Sequence, residues 1–196
     1  ALPSYYLSRF NFLWIAIISA AGLNLLIGLS GQGSLGQAAF MAIGGYTAAA
    51  VHRYLGLDLL VSLPLGAALA AAVGFLIGIP SLRLRGFYLA LTTLALHFAA
   101  VFAANKFQLL AGDAAATGFS IERAMIGPFR VASDYQWFVL LSFLGLLTLV
   151  GFHNLARSKV GRAWMAIRDR DIAASIIGVD VTRYKLLAFV VSSAVA

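Results

Sequence analysis

Apolar residues occur in long uninterrupted blocks, at about 10–29, 37–51, 59–80, 86–104 and 136–153, with a partial one at 186–196. A helix needs about 17 to 25 such residues to cross the hydrocarbon core of a bilayer. The fold class that follows is all-α, a polytopic transmembrane helical bundle of permease type, treated as a single domain over 1–196. Composition agrees: 62% of residues are hydrophobic, only 11% are charged and the mean hydropathy is +0.93. A soluble domain carries roughly a quarter charged residues. The block at 37–51 is short and contains Gly44-Gly45, so it reads as a short or broken helix. Within 59–80 the small residues Gly66, Ala70, Gly74 and Gly78 recur every fourth position, a stripe that lets two helix backbones approach closely in lipid. The chain starts with neither an initiator Met nor a basic leader, and its last apolar block stops after about eleven residues. A chain incomplete at both ends is the expectation.

A net charge of +7 raises the question of nucleic acid, but the basic residues gather in two loops with no interleaved aromatics, and orientation in the membrane is the simpler use. No nucleic-acid partner is expected. With no Cys there are no disulfides and no thiolate metal sites. The segment 154–185 carries Arg157, Lys159, Arg162, Arg168, Arg170, Arg183 and Lys185 against Asp169, Asp171 and Asp180, which makes it the cytoplasmic loop. Counting crossings backwards puts 105–136 outside, the Arg83/Arg85 turn inside and Arg53 outside. Upstream two topologies remain: two crossings before Arg53 put the N-terminus outside, while one crossing broken at 30–36 puts it inside.

The stretch LSGQGSLGQ at 29–37 contains Gly31-x-Gly33-x-x-Gly36, the spacing of a dinucleotide-binding loop, with Asp58 further on. That fingerprint works only between a strand and an amphipathic helix of a soluble βαβ unit. Here both flanks are membrane-length apolar blocks. The remaining readings are a plain turn or a discontinuity at membrane depth that lines a pathway, which is permitted only where the break faces protein or water. Ser30, Gln32, Ser34 and Gln37 favour the pathway, because uncharged amides and hydroxyls bind a zwitterion without the cost of a buried charge.

The stretch Lys159 to Asp171 reads as a surface helix with Trp164 and Ile167 on its apolar side, by default an interfacial helix touching headgroups. The continuation Ala173-Ala174-Ser175-Ile176-Ile177-Gly178 instead makes a compact helix–turn suited to a groove on a partner protein.

Three stretches together resemble the membrane permeases of bacterial branched-chain amino acid ABC importers, of the LivM type. They are GLSGQGSLGQAAF at 28–40 with Gly44-Gly45-Tyr46-Thr47; LRLRGFY at 82–88 with Thr92, Leu94 and Ala95; and Gly161-Arg162-Ala163 through Ile167-Arg168 and Ala173-Ala174 to Gly178 and Val181-Thr182-Arg183-Tyr184-Lys185. The resemblance implies a multi-pass subunit of the bacterial cytoplasmic (inner) membrane, with a discontinuous helix near its N-terminus. It implies a homologous second permease subunit, two ATP-binding subunits and a periplasmic or extracellular substrate-binding protein as partners, and leucine, isoleucine or valine as cargo moved by alternating access. Gly161, Arg162, Ile167, Arg168, Ala173, Ala174 and Gly178 would belong to the coupling helix that docks into the ATPase. Ile172 stands at the acidic position of the importer EAA…G loop, and Gln37 stands where many relatives have His. These departures remove a salt bridge and an imidazole.

No P-loop occurs, so ATP is bound and hydrolysed by a separate subunit; the chain is a transport subunit, not an enzyme, and needs no cofactor. No His, Asp or Glu has metal-ligand spacing and no nucleophile has a base nearby in sequence. Thr47 is a further pathway candidate. His97, inside the 86–104 block, is either functional or a neutral His bonded to a neighbouring helix. Thr92 and Thr93 bond their own helix or face the pathway. Rival functions are a related permease for urea, short amides or other amino acids, and an ATP-independent secondary carrier. The second is disfavoured because all seven acidic residues lie in loops rather than spans.

Overall fold

A computed structural model describes residues 4–81, 87–110, 125–126, 129–130 and 133–196. The basic turn at 82–86, with Arg83 and Arg85, and most of the polar loop expected at 105–136 lie outside the described residues.

The helices are α1 (Ser4–Asn24), which runs directly into a π-helical turn (Leu25–Leu29), α2 (Gln37–Leu55), α3 (Leu59–Ser81), α4 (Phe87–Leu110), α5 (Asp134–Arg157), α6 (Lys159–Asp169), α7 (Asp171–Ile176) and α8 (Val181–Val195). Between α4 and α5 a two-residue antiparallel pair joins Met125–Ile126 to Phe129–Arg130. Helix starts are capped where polar residues permit. Ser133 and Gln136 form a reciprocal capping box on α5, the Ser158 hydroxyl accepts from the Gly161 amide at α6, and Asp180 accepts from the Arg183 amide at α8.

Four helices are long and apolar enough to cross a membrane among the described residues: 5–29, 59–80, 88–109 and 134–157. The chain is a multi-pass membrane protein. The segment expected to be short or broken, 37–51, is instead one continuous helix, α2, running through Gly44-Gly45 to Leu55. Packing explains this: α2 lies antiparallel to α3 so closely that a Cβ on Gly66 would meet the Gly44 carbonyl oxygen at 2.6 Å and the Ala48 Cβ at 3.2 Å. Gly44 is a contact surface rather than a breaker. The small-residue stripe of α3 serves two neighbours, Gly66 and Ala70 facing α2 while Gly74 and Gly78 face Ser193, Phe189 and Leu186 of α8. Helix α4 extends to Leu110 because its polar last turns find partners, the Gln108 amide donating to the Tyr46 hydroxyl of α2 at 2.5 Å.

Helices α1 and α5 are parallel: Phe10 stacks edge-on to Phe138, the Asn11 amide donates to the Asp134 carbonyl, and Gly145 accommodates the Trp14 indole. The start of α1 therefore lies on the opposite side of the bundle from α6 and α7, and α2 returns from that basic side. This geometry puts the start of α1 and the end of α2 on the same side, opposite α6 and α7, rather than running α1 and α2 through as one broken crossing. The core is concentrated at the basic end, where Leu25, Leu26, Leu89, Trp164, Ala188 and Phe189 are buried together.

Candidate functional site

The break between α1 and α2 begins with a widened turn. The Ser30 amide bonds the Leu25 carbonyl at 3.2 Å, and the Gln32 amide reaches the Leu26 carbonyl at 3.0 Å. At Gly31 the backbone is left-handed, φ +69°, a conformation glycine adopts without a Cβ clash. The chain then climbs back beside α1 without regular secondary structure. Gln37 donates from Nε2 to the Ser19 carbonyl at 3.2 Å. Ser19 lies ten residues before Leu29, so the Gln37 side chain bonds roughly 15 Å above the helix end, given about 1.5 Å per helical residue.

Irregular backbone at that depth is stable only if protein replaces water as its partner. It does so here. The Ser30 hydroxyl donates to the Leu26 carbonyl at 2.7 Å. The Gln32 amide group donates to Ser30 Oγ at 2.9 Å and to the Lys185 carbonyl at 3.3 Å. The Ser34 hydroxyl accepts from the Gly36 amide at 3.2 Å, and Thr93 Oγ1 of α4 accepts from the Leu35 amide at 2.9 Å while donating to the Ala90 carbonyl. Ser30, Gln32, Ser34, Gln37 and Thr93 are all buried. Deeper still, the Ser192 hydroxyl of α8 donates to the Gly22 carbonyl at 2.7 Å and lies 3.3 Å from Gln37 Oε1. Gly22 leaves this space open, since a Cβ there would meet Gln37 Nε2 at 2.8 Å.

Beneath the break sits the hairpin of α6 and α7. Its apolar side faces protein, not lipid: Trp164 is 0% and Ile167 2% exposed. Trp164 Nε1 donates to the Tyr184 carbonyl at 2.7 Å, and Lys185 forms an ion pair with Asp171 at 2.5 Å. Arg168 Nη1 donates to the Gly28 carbonyl at 2.5 Å, and its stem covers Gly31 so closely that a Cβ there would lie 3.1 Å from Arg168 Cγ. Gly161 is buried at the α5–α6 corner, where backbone carbonyls leave no room for a Cβ. Arg162 is exposed and donates to the Arg157 carbonyl. Ala174 is buried and Ala173 exposed. Gly178 ends α7 at φ +88°, with the Val179 amide closing back on the Ala174 carbonyl. Around that turn Ile172, Ile176 and Ile177 are 71%, 79% and 74% exposed.

The remaining candidates are not joined to this constellation. Thr47 donates to its own Ile43 carbonyl and lines an apolar groove of about 430 Å³ between α2 and α4. Thr92 bonds the Tyr88 carbonyl of its own helix. His97 packs edge-on to Phe98, and its buried Nδ1 has no hydrogen-bond partner among the described residues. Thr93, weighed with Thr92 in the sequence, is bonded to the break, as are Ser192 and Lys185, which the sequence reading did not place on the pathway. Among the described residues no group of three His, Asp or Glu could hold a metal ion.

Comparison with known proteins follows the same direction. The profile of the family described as "Branched-chain amino acid transport system / permease component" matches residues 5–196. A "High-affinity branched-chain amino acid transport system permease protein LivM" from Escherichia coli (strain K12) is 35% identical over 209 residues, covering 93% of this chain and 48% of that protein. Its namesake in Salmonella typhimurium is 37% identical over 204 residues, with the same coverage of 93% and 48%. The chain spans about half the length of these curated relatives. No solved structure matches.

Proposed function

Because this chain belongs to the family of branched-chain amino acid transport system permease components, we propose that it is a membrane-spanning subunit of an ATP-driven importer. It moves leucine, isoleucine or valine by alternating access across the cytoplasmic membrane of a bacterium. Its partners in this reading are a homologous second permease subunit, two ATP-binding subunits that carry out hydrolysis, and a substrate-binding protein on the outer side.

The observation that carries the proposal is the polarity of the α6–α7 hairpin. A helix lying on lipid would turn its apolar side outward; here Trp164 and Ile167 are buried within the fold, while Ile172, Ile176 and Ile177 project from the hairpin's far end. Exposed isoleucines on a basic segment outside the membrane need a cover, and a groove on the ATPase supplies one. The isoleucine at 172, where the importer pattern has an acid, makes that contact apolar rather than ionic. Ile176→Asp is therefore expected to abolish co-purification of the ATPase subunits while the permease still inserts in the membrane. Undiminished co-purification would sink the assignment.

Substrate passage is assigned to the break. Ser30, Gln32, Ser34 and Gln37 are turned inward and occupied here, so they meet substrate only in a conformation in which Gln32 leaves the Lys185 carbonyl and Gln37 leaves the Ser19 carbonyl. Uptake of labelled leucine by Gln32→Leu membranes should fall with insertion intact; full uptake would reduce the stretch to a connecting turn. The same assay, with isoleucine, valine, urea and short amides as competitors, separates the branched-chain reading from its rivals.

A further inference from the structure

We infer that Arg168 is the positioning residue through which the α6–α7 hairpin moves the break between α1 and α2. This rests on the proposed role of the hairpin as the ATPase-coupling element. It adds a specific linkage between that element and the membrane segment.

The argument starts from unfilled carbonyls. A helix that ends inside protein leaves its last C=O groups without intrahelical donors, and each needs another partner. At the end of the π turn the Leu25 carbonyl takes the Ser30 amide, and the Leu26 carbonyl takes both the Gln32 amide and the Ser30 hydroxyl. With the Gln32 amide committed there, the Gly28 carbonyl receives its bond from outside the segment, from Arg168 Nη1. A guanidinium on a helix C-terminus combines a charge-assisted hydrogen bond with a favourable interaction with the helix dipole.

Geometry makes the link directional. Gly31 lies against the Arg168 backbone and stem, with only 3.2 Å between Arg168 Cα and the place a Cβ would occupy. The same hairpin holds the start of α8 through Trp164 to the Tyr184 carbonyl and Asp171 to Lys185, and the Lys185 carbonyl in turn accepts from Gln32. A displacement of α6 therefore reaches the break by two routes. Through α8 it acts on Gln32; through Arg168 it acts on the end of α1 directly. Arg168 is exposed, but its Nη1 is engaged by the Gly28 carbonyl and its stem by Gly31, while the proposed docking surface is built on Ile172, Ile176 and Ile177.

The test uses the whole transporter in proteoliposomes with its binding protein, measuring leucine taken up per ATP hydrolysed, with co-purification of the ATPase subunits as a separate reading. Arg168→Met keeps the stem and removes the charge and donors. The expected result is an assembled complex whose uptake per ATP falls roughly tenfold, within the range usual for coupling between sites, with partial recovery in Arg168→Lys. An unchanged ratio in Arg168→Met overturns the inference. If Arg168→Met does not assemble, Arg168→Gln, too short to reach Gly28, is read in the same way. Failure of both to assemble also overturns the inference, by making Arg168 a folding brace. Loss of ATPase co-purification in Ile176→Asp is independent of all these outcomes, so the docking reading and the linkage fail separately.

Discussion

Helices α3 and α5 are nearly equal in length and each carries a membrane-length apolar span, yet they occupy the bundle differently. In α3, 22% of the membrane-length span is buried inside the fold; in α5 the share is 6%. Hydropathy alone does not separate them, because lipid and protein interior are equally apolar environments for a side chain. Close packing between helices in lipid depends on small residues that let backbones approach. Helix α3 has Gly66, Ala70, Gly74 and Gly78 along one face; α5 has only Gly145 buried, where it receives Trp14.

The comparison breaks most sharply at one pair of glycines. Gly74 faces Ser193 and the Phe189 carbonyl of α8 with no room for a Cβ, while Gly151 of α5 has none of the described residues within 4 Å of that position. Gly74→Leu should separate α3 from α8 and cost about 3 kcal/mol or more, at the upper end for overpacking. Gly151→Leu should leave the melting temperature of the purified protein in detergent close to wild type. Equal melting of the two variants would show that burial of α3 in this fold does not depend on its small-residue face.

What could be read in advance follows the same division. The four candidate spans, the α3 stripe, the basic character of 154–185 and the helix-ending role of Gly178 are local properties of the chain, each visible as length, spacing or residue type. Rotation of a helix about its axis and the identity of its neighbour are not local. Trp164 and Ile167 were evident as an apolar side, but lipid and the Leu25–Leu26 core are the same chemistry to such a side, and only packing distinguishes them. Arg168 resembles any other basic residue of an inner loop because its partner is a backbone carbonyl, which leaves no mark on the sequence. Gly44-Gly45 misled for a related reason: glycine weakens an isolated helix, but beside Gly66 it permits the contact that supports α2.

The smallest predicted effect sharpens the point at adjacent residues of the same type. Thr92 and Thr93 were equivalent from the sequence, and α4 turns them to different surroundings. The Thr92 hydroxyl returns to the Tyr88 carbonyl of its own helix, so Thr92→Val should change stability by no more than about 0.5 kcal/mol. Thr93 is fully buried and its oxygen receives the Leu35 amide from the break; Val has the same shape but no acceptor, leaving that N–H without its partner. Thr93→Val should therefore cost about 1–3 kcal/mol and loosen the break locally. Hydrogen exchange at the Leu35 amide is the direct measurement: faster in Thr93→Val and unchanged in Thr92→Val. Equal exchange in both would mean that α4 does not anchor the break, and that Ser34, Gln37 and α8 hold it without Thr93.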